Sequence, residues 1–181
     1  MTHKRKENQQ KTVSKEWIFD SLLSLMCEKP YRQINITEIA NRADLSRRTF
    51  YRHFKTTNDV LAYHLQMISE PFVDILLSQS KNDMETMVLI YFQYWEQHKS
   101  FLLLLKDNGL LYLLLEHFLP AVKEKLSAYH QNDMNIEVIL YVYYFMAGGL
   151  WNLLVKWIED GAKLNPHEIA DIVPAIINNL R

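Results

Sequence analysis

The stretch Ile36-Thr-Glu-Ile-Ala-Asn-Arg-Ala-Asp-Leu-Ser-Arg-Arg-Thr-Phe-Tyr-Arg-His-Phe54 decides how the chain is read. Ile36, Ile39 and Ala40 fall at helical spacing and give a short first helix one narrow apolar face. Ala40 is small enough for a second helix to cross it closely. Ala43-Asp44-Leu45 reads as the turn, with Leu45 as its buried plug. Ser46 is placed to cap the second helix, whose Phe50 and Phe54, four residues apart, share an inward face. Arg47, Arg48, Tyr51 and Arg52 are left outside. Two short helices, a tight turn and a basic outer face make a helix-turn-helix.

Outward from this unit the whole chain reads as helix, so the expected fold class is all-α. Upstream, Val13, Trp17, Ile18, Leu22, Leu25 and Met26 recur at steps that place them on one helical face ending near Lys29-Pro30. Downstream, helices are predicted at about 57–79, 84–98, 101–107, 110–130, 136–160 and 166–180. Asn35, Thr56, Asn82 and Asn165 each stand three residues before a carboxylate (Glu38, Asp59, Glu85 and Glu168), the pattern of a capped helix start. Asp107-Asn-Gly109 and Gly161 mark stops. Pro174 is expected to kink or split the last helix.

Composition narrows the function classes. Four glycines and five prolines in 181 residues argue against a turn-rich β chain and against glycine-rich phosphate loops. The single Cys27 excludes an internal disulfide framework and a multi-cysteine zinc site, and its helix reads it as a packing residue. No histidine falls on a metal-ligand or catalytic-triad pattern, so neither catalytic nor metal-binding residues nor a cofactor is expected. The net charge of −1 conceals an asymmetry: residues 1–55 carry twelve Lys or Arg against six Asp or Glu, while the remainder is acidic. A basic third on an acidic body suits a polyanion partner, although charge alone reads equally well as a solvated basic face. The N-terminal ten residues are basic and polar, unlike a signal peptide, and a cytoplasmic setting is expected. Residues 138–155 are interrupted by one clearly polar side chain, Asn152, and reach the length of a membrane span. Burial within protein is the preferred reading, and no membrane partner is expected.

Residues 13–65 resemble the DNA-binding domain of the TetR/AcrR family of bacterial transcription regulators. The likeness rests on Ile39-Ala40, Ala43, Ser46, Thr49-Phe50-Tyr51 and His53-Phe54-Lys55. Asp44 stands where the family usually has Gly, and Thr57 where it often has Lys. The resemblance implies that Arg47 and Arg48 face bases, that Thr37 also reaches one, and that Ser46, Thr49, Tyr51, His53 and Lys55 touch phosphates. Arg52 joins this set as a surface or DNA contact. The implied partner is a double-stranded, near-palindromic operator bound by a homodimer, with repression as the expected outcome. The alternative is a helical protein-interaction adaptor without sequence-specific DNA binding.

The expected organisation is a flexible basic arm at 1–11, a DNA-binding domain at 12–56 and a helical regulatory and dimerisation domain at 57–181. Residues 136–160 and 165–180 are more apolar than one small core requires, which makes them the expected dimer surface; Gly148-Gly149 would permit close helix approach there. Residues 148–161 are similar to a signature of the branch that includes regulators of dihydroxyacetone kinase operons. Tyr91, Trp95, His98, Tyr112, His117, Tyr141 and Tyr144 are candidates to line an effector pocket, set against a core of ordinary aromatic packing. The controlling partner is either a small molecule or a protein co-regulator.

Overall fold

In the computed structural model, residues 2–78, 83–129 and 136–179 are described; the side chains of 2–11, 77, 126–129, 136, 174 and 176–179 fall outside that description. The helices among these residues are α1 (Thr2–Glu28), α2 (Ile36–Arg42), α3 (Arg47–His53), α4 (Thr57–Ser78), α5 (Met84–Gln97), α6 (Lys99–Asp107), α7 (Tyr112–Tyr129), α8 (Ile136–Glu159) and α9 (Pro166–Asn179). A single 3-10 turn, Tyr31–Gln33, follows α1. No strand occurs among the described residues. The chain divides into two compact units between Gln66 and Met67, within α4.

In the N-terminal unit, local chemistry fixes where each helix starts. The Asn35 carboxamide accepts from the Glu38 N–H at 3.1 Å while Glu38 accepts from the Asn35 N–H at 3.0 Å, a complete capping box for α2. The Ser46 hydroxyl accepts from the Thr49 N–H at 3.1 Å and starts α3. Thr56 accepts from the Asp59 N–H, and the Asp59 carboxylate accepts from the N–H groups of Lys55 and Thr56. Between α2 and α3, Asp44 takes φ +52°, the left-handed conformation that a short polar side chain tolerates better than most. Leu45 is only half-buried, so it is not the plug expected of it. The seal comes from Ile39, Ala40 and Phe50, all without exposed surface. α1 packs against both α2 and α3, and two ion pairs fasten α2 to it: Lys29 to Glu38 at 2.5 Å, and Arg42 to Glu28 through both guanidinium ends.

α1 begins well before the predicted start near Val13, so the backbone of residues 2–11 continues the helix where an arm was expected. Cys27 is exposed on α1 and does not pack in the core.

The C-terminal unit is organised around Phe72. Its ring lies 4.7–5.6 Å from the ring centroids of Tyr91, Tyr94, Trp95 and Phe118, distances at which aromatic pairs attract beyond their area burial. Pro71, beside it, leaves the Met67 carbonyl without its i+4 donor, yet α4 continues. Side chains from two other helices bond the backbone of this turn. The Tyr94 hydroxyl donates to the Ile68 carbonyl at 2.5 Å. Lys125 donates to the Glu70 carbonyl at 2.9 Å and pairs with Asp74 at 2.6 Å.

α5 packs on α8 and α9, and α8 also receives α6 and α7. The α8–α9 corner uses two left-handed residues, Gly161 and Ala162, and is held by Lys99 donating to the Ala162 carbonyl and by the Trp157 indole donating to Leu164. Asn165 and Glu168 then form a reciprocal cap on α9.

Two punctuation signals resolve differently from expectation. The α5 cap is Asp83, which accepts from the Thr86 N–H at 2.8 Å; Asn82, the expected cap, lies outside the described residues. α9 runs unbroken across Pro174. One lost hydrogen bond does not split a helix whose Ile169 and Ala170 are buried and which packs along α5.

Ser69, on α4, is wholly buried and its hydroxyl has no hydrogen-bond partner among the described residues. A buried unsatisfied hydroxyl costs roughly 1–3 kcal/mol. Ser69→Ala should therefore leave the fold intact and raise stability by about 1 kcal/mol, measured as a higher urea midpoint at unchanged slope; a loss of stability would mean that the hydroxyl is satisfied in solution.

Candidate nucleic-acid interface and buried chamber

The burial of α3 on one side determines what it offers on the other. Phe50 is fully enclosed and Phe54 nearly so, their ring centroids 6.0 Å apart. Lys15 of α1 lies 4.1 Å from the Tyr63 ring centroid and 5.9 Å from that of Phe54, a cation–π contact on the same side. With that face anchored, Arg47, Arg48, Tyr51 and Arg52 stand exposed. The Arg47 guanidinium lies 5.9 Å from the Tyr51 ring centroid, so the two form one contiguous surface.

An open depression of about 1060 Å³ runs between the start of α2, the outer face of α3 and the start of α4. Thr37, Arg47, Tyr51 and Lys55 line it together, as do Asn35, Ile36, Thr56 and Thr57, which were not among the candidates. The sequence did carry a signal for Asn35 and Thr56, since both are helix caps; what it lacked was the convergence of two helix starts on one hollow. The remaining candidates lie elsewhere on the unit. Arg48 and Arg52 are exposed on α3, Ser46 and Thr49 share a hydroxyl contact of 2.9 Å at its cap, and His53 is half-buried beside Phe54.

Two acidic groups at this surface, Glu38 and Asp59, are already engaged, while Asp44 in the turn before α3 is exposed. Glu38 lines the depression, but its hydrogen bonds from Lys29 and from the Asn35 N–H hold its carboxyl below the usual range. Burial pushes the Asp59 carboxyl up, and the N–H groups of Lys55 and Thr56 more than offset that, leaving it lowered. Both therefore remain ionised and partnered at neutral pH, and the exposed outer face of α3 carries Arg47, Arg48 and Arg52. Guanidinium groups on the first turn of a short helix match the paired acceptors of guanine in the major groove, and the lysine and hydroxyl groups around them suit phosphate oxygens.

A second feature lies wholly within the C-terminal unit. Two adjoining chambers share the walls Tyr91, Phe118 and Ala147. The larger, with room for little more than a water or two between its side chains, is completed by Val73, Leu76, Met87, Val122, Tyr143, Met146 and Leu150. The smaller, with room for about one water, is completed by Trp95, Leu114, Leu115 and Trp151. Of the seven pocket candidates, Tyr91 and Trp95 are lining residues. His98 stacks on Tyr94 and Trp95 without reaching either chamber. Tyr112, Tyr141 and Tyr144 are exposed, and His117, half-buried on α7, lines neither chamber. The helical phase is responsible: the inward residues of α8 are Tyr143, Met146, Ala147 and Leu150, so Tyr141 and Tyr144 turn away.

α8 is also the one helix among the described residues long and apolar enough to cross a membrane, yet only 11% of its apolar window is buried in this chain. The expected burial is therefore absent from the single chain. Val138, Tyr141, Val142 and Phe145 form an exposed apolar strip, with Tyr141 79% and Phe145 84% exposed. No atom would meet a Cβ added at Gly148 or Gly149 within 4 Å, so the close helix approach expected at these glycines does not occur within one copy. Among the described residues no group of three His, Cys, Asp or Glu could hold a metal ion.

The sequence matches the model of the bacterial regulatory proteins, tetR family, over residues 18–63, and a model described as transcriptional regulator C-terminal region over residues 82–179. Among solved structures, the chain is similar to the fatty acid degradation regulator FadR from Bacillus halodurans. That likeness has a TM-score of 0.54 at 20% sequence identity, covering 87% of this chain and 91% of that one. No curated protein matches the sequence. The C-terminal match carries no indication of the dihydroxyacetone kinase branch.

Arg47→Ala and Arg48→Ala should each cost roughly 1–3 kcal/mol of specific DNA affinity and relax base preference at one position per half-site. Binding titrations on specific and random duplexes at one salt concentration test this. Equal losses on both duplexes would reduce the pair to phosphate contacts.

Proposed function

We propose, from the premise that this chain belongs to the TetR family of transcriptional regulators, that it is a cytoplasmic repressor which binds a near-palindromic operator as a homodimer and is released by a small effector held in its C-terminal unit. The chain is a transcriptional regulator with a DNA-binding N-terminal domain. What carries the finer reading is the arrangement of α3: a fully buried Phe50 beneath exposed Arg47, Arg48 and Arg52, with Thr37, Tyr51 and Lys55 on the adjoining hollow. The other DNA-facing candidates, Ser46, Thr49 and His53, act as positioning or phosphate-facing groups around it.

The uncovered strip of α8 supports the homodimer. Exposed apolar area of this extent is what a second copy would bury, and two helices from each subunit make a four-helix contact. A trough between α8 and α9, apolar at Leu153, Trp157, Leu164, Ile169, Ile172 and Val173 and edged by Lys156, Asp160 and Lys163, offers further apolar area on the same two helices. A two-fold dimer would read half-sites whose centres lie about 34–36 Å apart, or a multiple of that. The chambers among α4, α5, α7 and α8 support effector control, because α4 contributes Val73 and Leu76 to the walls and also carries the chain boundary between the two units. The Pro71 turn, bonded by Tyr94 and Lys125, is the point on α4 where a change in packing would be felt as a bend. Only a difference in affinity for the two arrangements drives such a change, typically about 1–3 kcal/mol.

Two measurements test this reading. Phe145→Glu should convert a dimer into a monomer in sedimentation and reduce affinity for DNA from the region upstream of its own gene by at least about tenfold, with the circular dichroism of the monomer unchanged. A variant that stays dimeric removes α8 from the interface. Pro71→Ala restores the missing donor and should change DNA affinity, or its response to an effector, more than it changes the melting temperature. An altered melting temperature with unaltered DNA binding would make the turn a static feature.

A further inference from the structure

A carbonyl inside a helix already has the N–H four residues on as its donor, so a side chain that bonds it from another helix adds a tie between elements. α4 receives two such ties within one turn. Pro71 lies in that turn: it offers no N–H to the Met67 carbonyl and its ring crowds the same atom, so a helix tends to open there. The Tyr94 hydroxyl of α5 donates to the next carbonyl, that of Ile68, and the Lys125 ammonium of α7 donates to that of Glu70. Lys125 does more than Tyr94. An ammonium has three donors, and this one also pairs with the Asp74 carboxylate at 2.6 Å, so a single group grips α4 on both sides of the proline. Phe72, next to the proline, is packed by the same two helices through Tyr91, Tyr94 and Trp95 of α5 and Phe118 of α7.

We infer that Lys125 is a positioning residue for DNA binding: by holding the Glu70 carbonyl and the Asp74 carboxylate together, it fixes the course of α4 across the Pro71 turn in the form that binds the operator. The inference rests on the regulatory reading of the C-terminal unit and names a residue through which that regulation acts. α4 is one continuous helix, with residues 57–66 in the DNA-binding unit and the remainder in the C-terminal unit. A change of direction at Pro71 is therefore carried along a single element. In this arrangement the larger chamber, walled in part by α4 and α7, has room for little more than a water or two. The gripped turn thus belongs to the form with no effector inside, and an effector that parts α7 from α4 stretches the Lys125 contacts. The ion pair is partly exposed and adds little to overall stability. Its effect is on which arrangement of α4 is favoured, and a bias of about fivefold between two arrangements already registers as coupling.

Three substitutions in the full-length protein test this, read by titration with duplex DNA from the region upstream of its own gene, by thermal unfolding, and by amide hydrogen exchange over residues 66–78. Lys125→Met keeps the aliphatic stem and removes the ammonium. It should weaken binding to the upstream duplex at least about fivefold, lower the melting temperature by no more than about 3 °C, and speed exchange over 66–78. Asp74→Ala changes the charge in the opposite sense, yet it should also weaken binding, by at least about twofold. Tighter binding by Asp74→Ala would mean that Lys125 acts only through its charge toward DNA, and overturns the inference. Lys125→Arg keeps the charge and the donors and should recover most of the lost affinity. Because coupling is reciprocal, the upstream duplex should slow exchange over 66–78 in the wild type, and do so less in Lys125→Met. Exchange that neither the substitution nor the duplex alters also overturns the inference. A wild type that binds the upstream duplex no better than a random one overturns the regulatory reading itself. An intact wild-type preference that Lys125→Met leaves unchanged overturns the role of Lys125 alone.

Discussion

The burial of Phe50 is the constraint on which the DNA-binding unit depends. α3 has only seven residues, too few for helical stability of its own, so it exists because α1 and α2 close over one side of it. That closure leaves Arg47, Arg48 and Arg52 no direction but outward. The arginines contribute nothing to holding α3, and Phe50 contributes nothing to contacting a nucleic acid. Each supplies what the other lacks: the ring fixes the phase of the helix, and the phase assigns the charges. The ion pairs from Lys29 and Arg42 to Glu38 and Glu28 are partly exposed and contribute little energy. Their effect is on charge, since they neutralise the carboxylates that would otherwise oppose a polyanion.

A comparable division holds in the C-terminal unit around Phe72. The rings of Tyr91, Tyr94, Trp95 and Phe118 pack against it, and two of the helices carrying them also bond the backbone around Pro71 through Tyr94 and Lys125. A helical turn that lacks one internal hydrogen bond is thus held by the same elements that wall the chambers. A helix interrupted by proline usually bends where its carbonyls are left to water. Here side chains bond the neighbouring carbonyls of Ile68 and Glu70, so the turn is tied to the packing of α5 and α7.

Much of this was legible in the residues. The caps at Asn35, Ser46, Thr56 and Asn165 depend on atoms within three positions of one another, and each appears as read. Phe50 and Phe54 lie on one face because four residues make roughly one turn, and the outward arginines follow from the same arithmetic. The left-handed Asp44 was signalled only through the family resemblance, in which Gly usually stands at that place in the turn. Leu45, by contrast, was assigned a burial that depends on how three helices meet, and Ile39, Ala40 and Phe50 had already filled the space.

The lining of the chambers was decided by tertiary structure alone. α8 is apolar around most of its circumference, so its sequence contains no polar face from which to deduce the phase; Tyr141 and Tyr144 were as plausible inward as Tyr143 and Met146. Only the approach of α5, α6 and α7 selects the side carrying Tyr143, Ala147 and Leu150 and leaves Tyr141 and Phe145 uncovered. Local hydrogen bonding and helical periodicity act over three or four residues and are written in the sequence. The choice among equally apolar faces is made by segments far apart in the chain, and it exists only once they have packed.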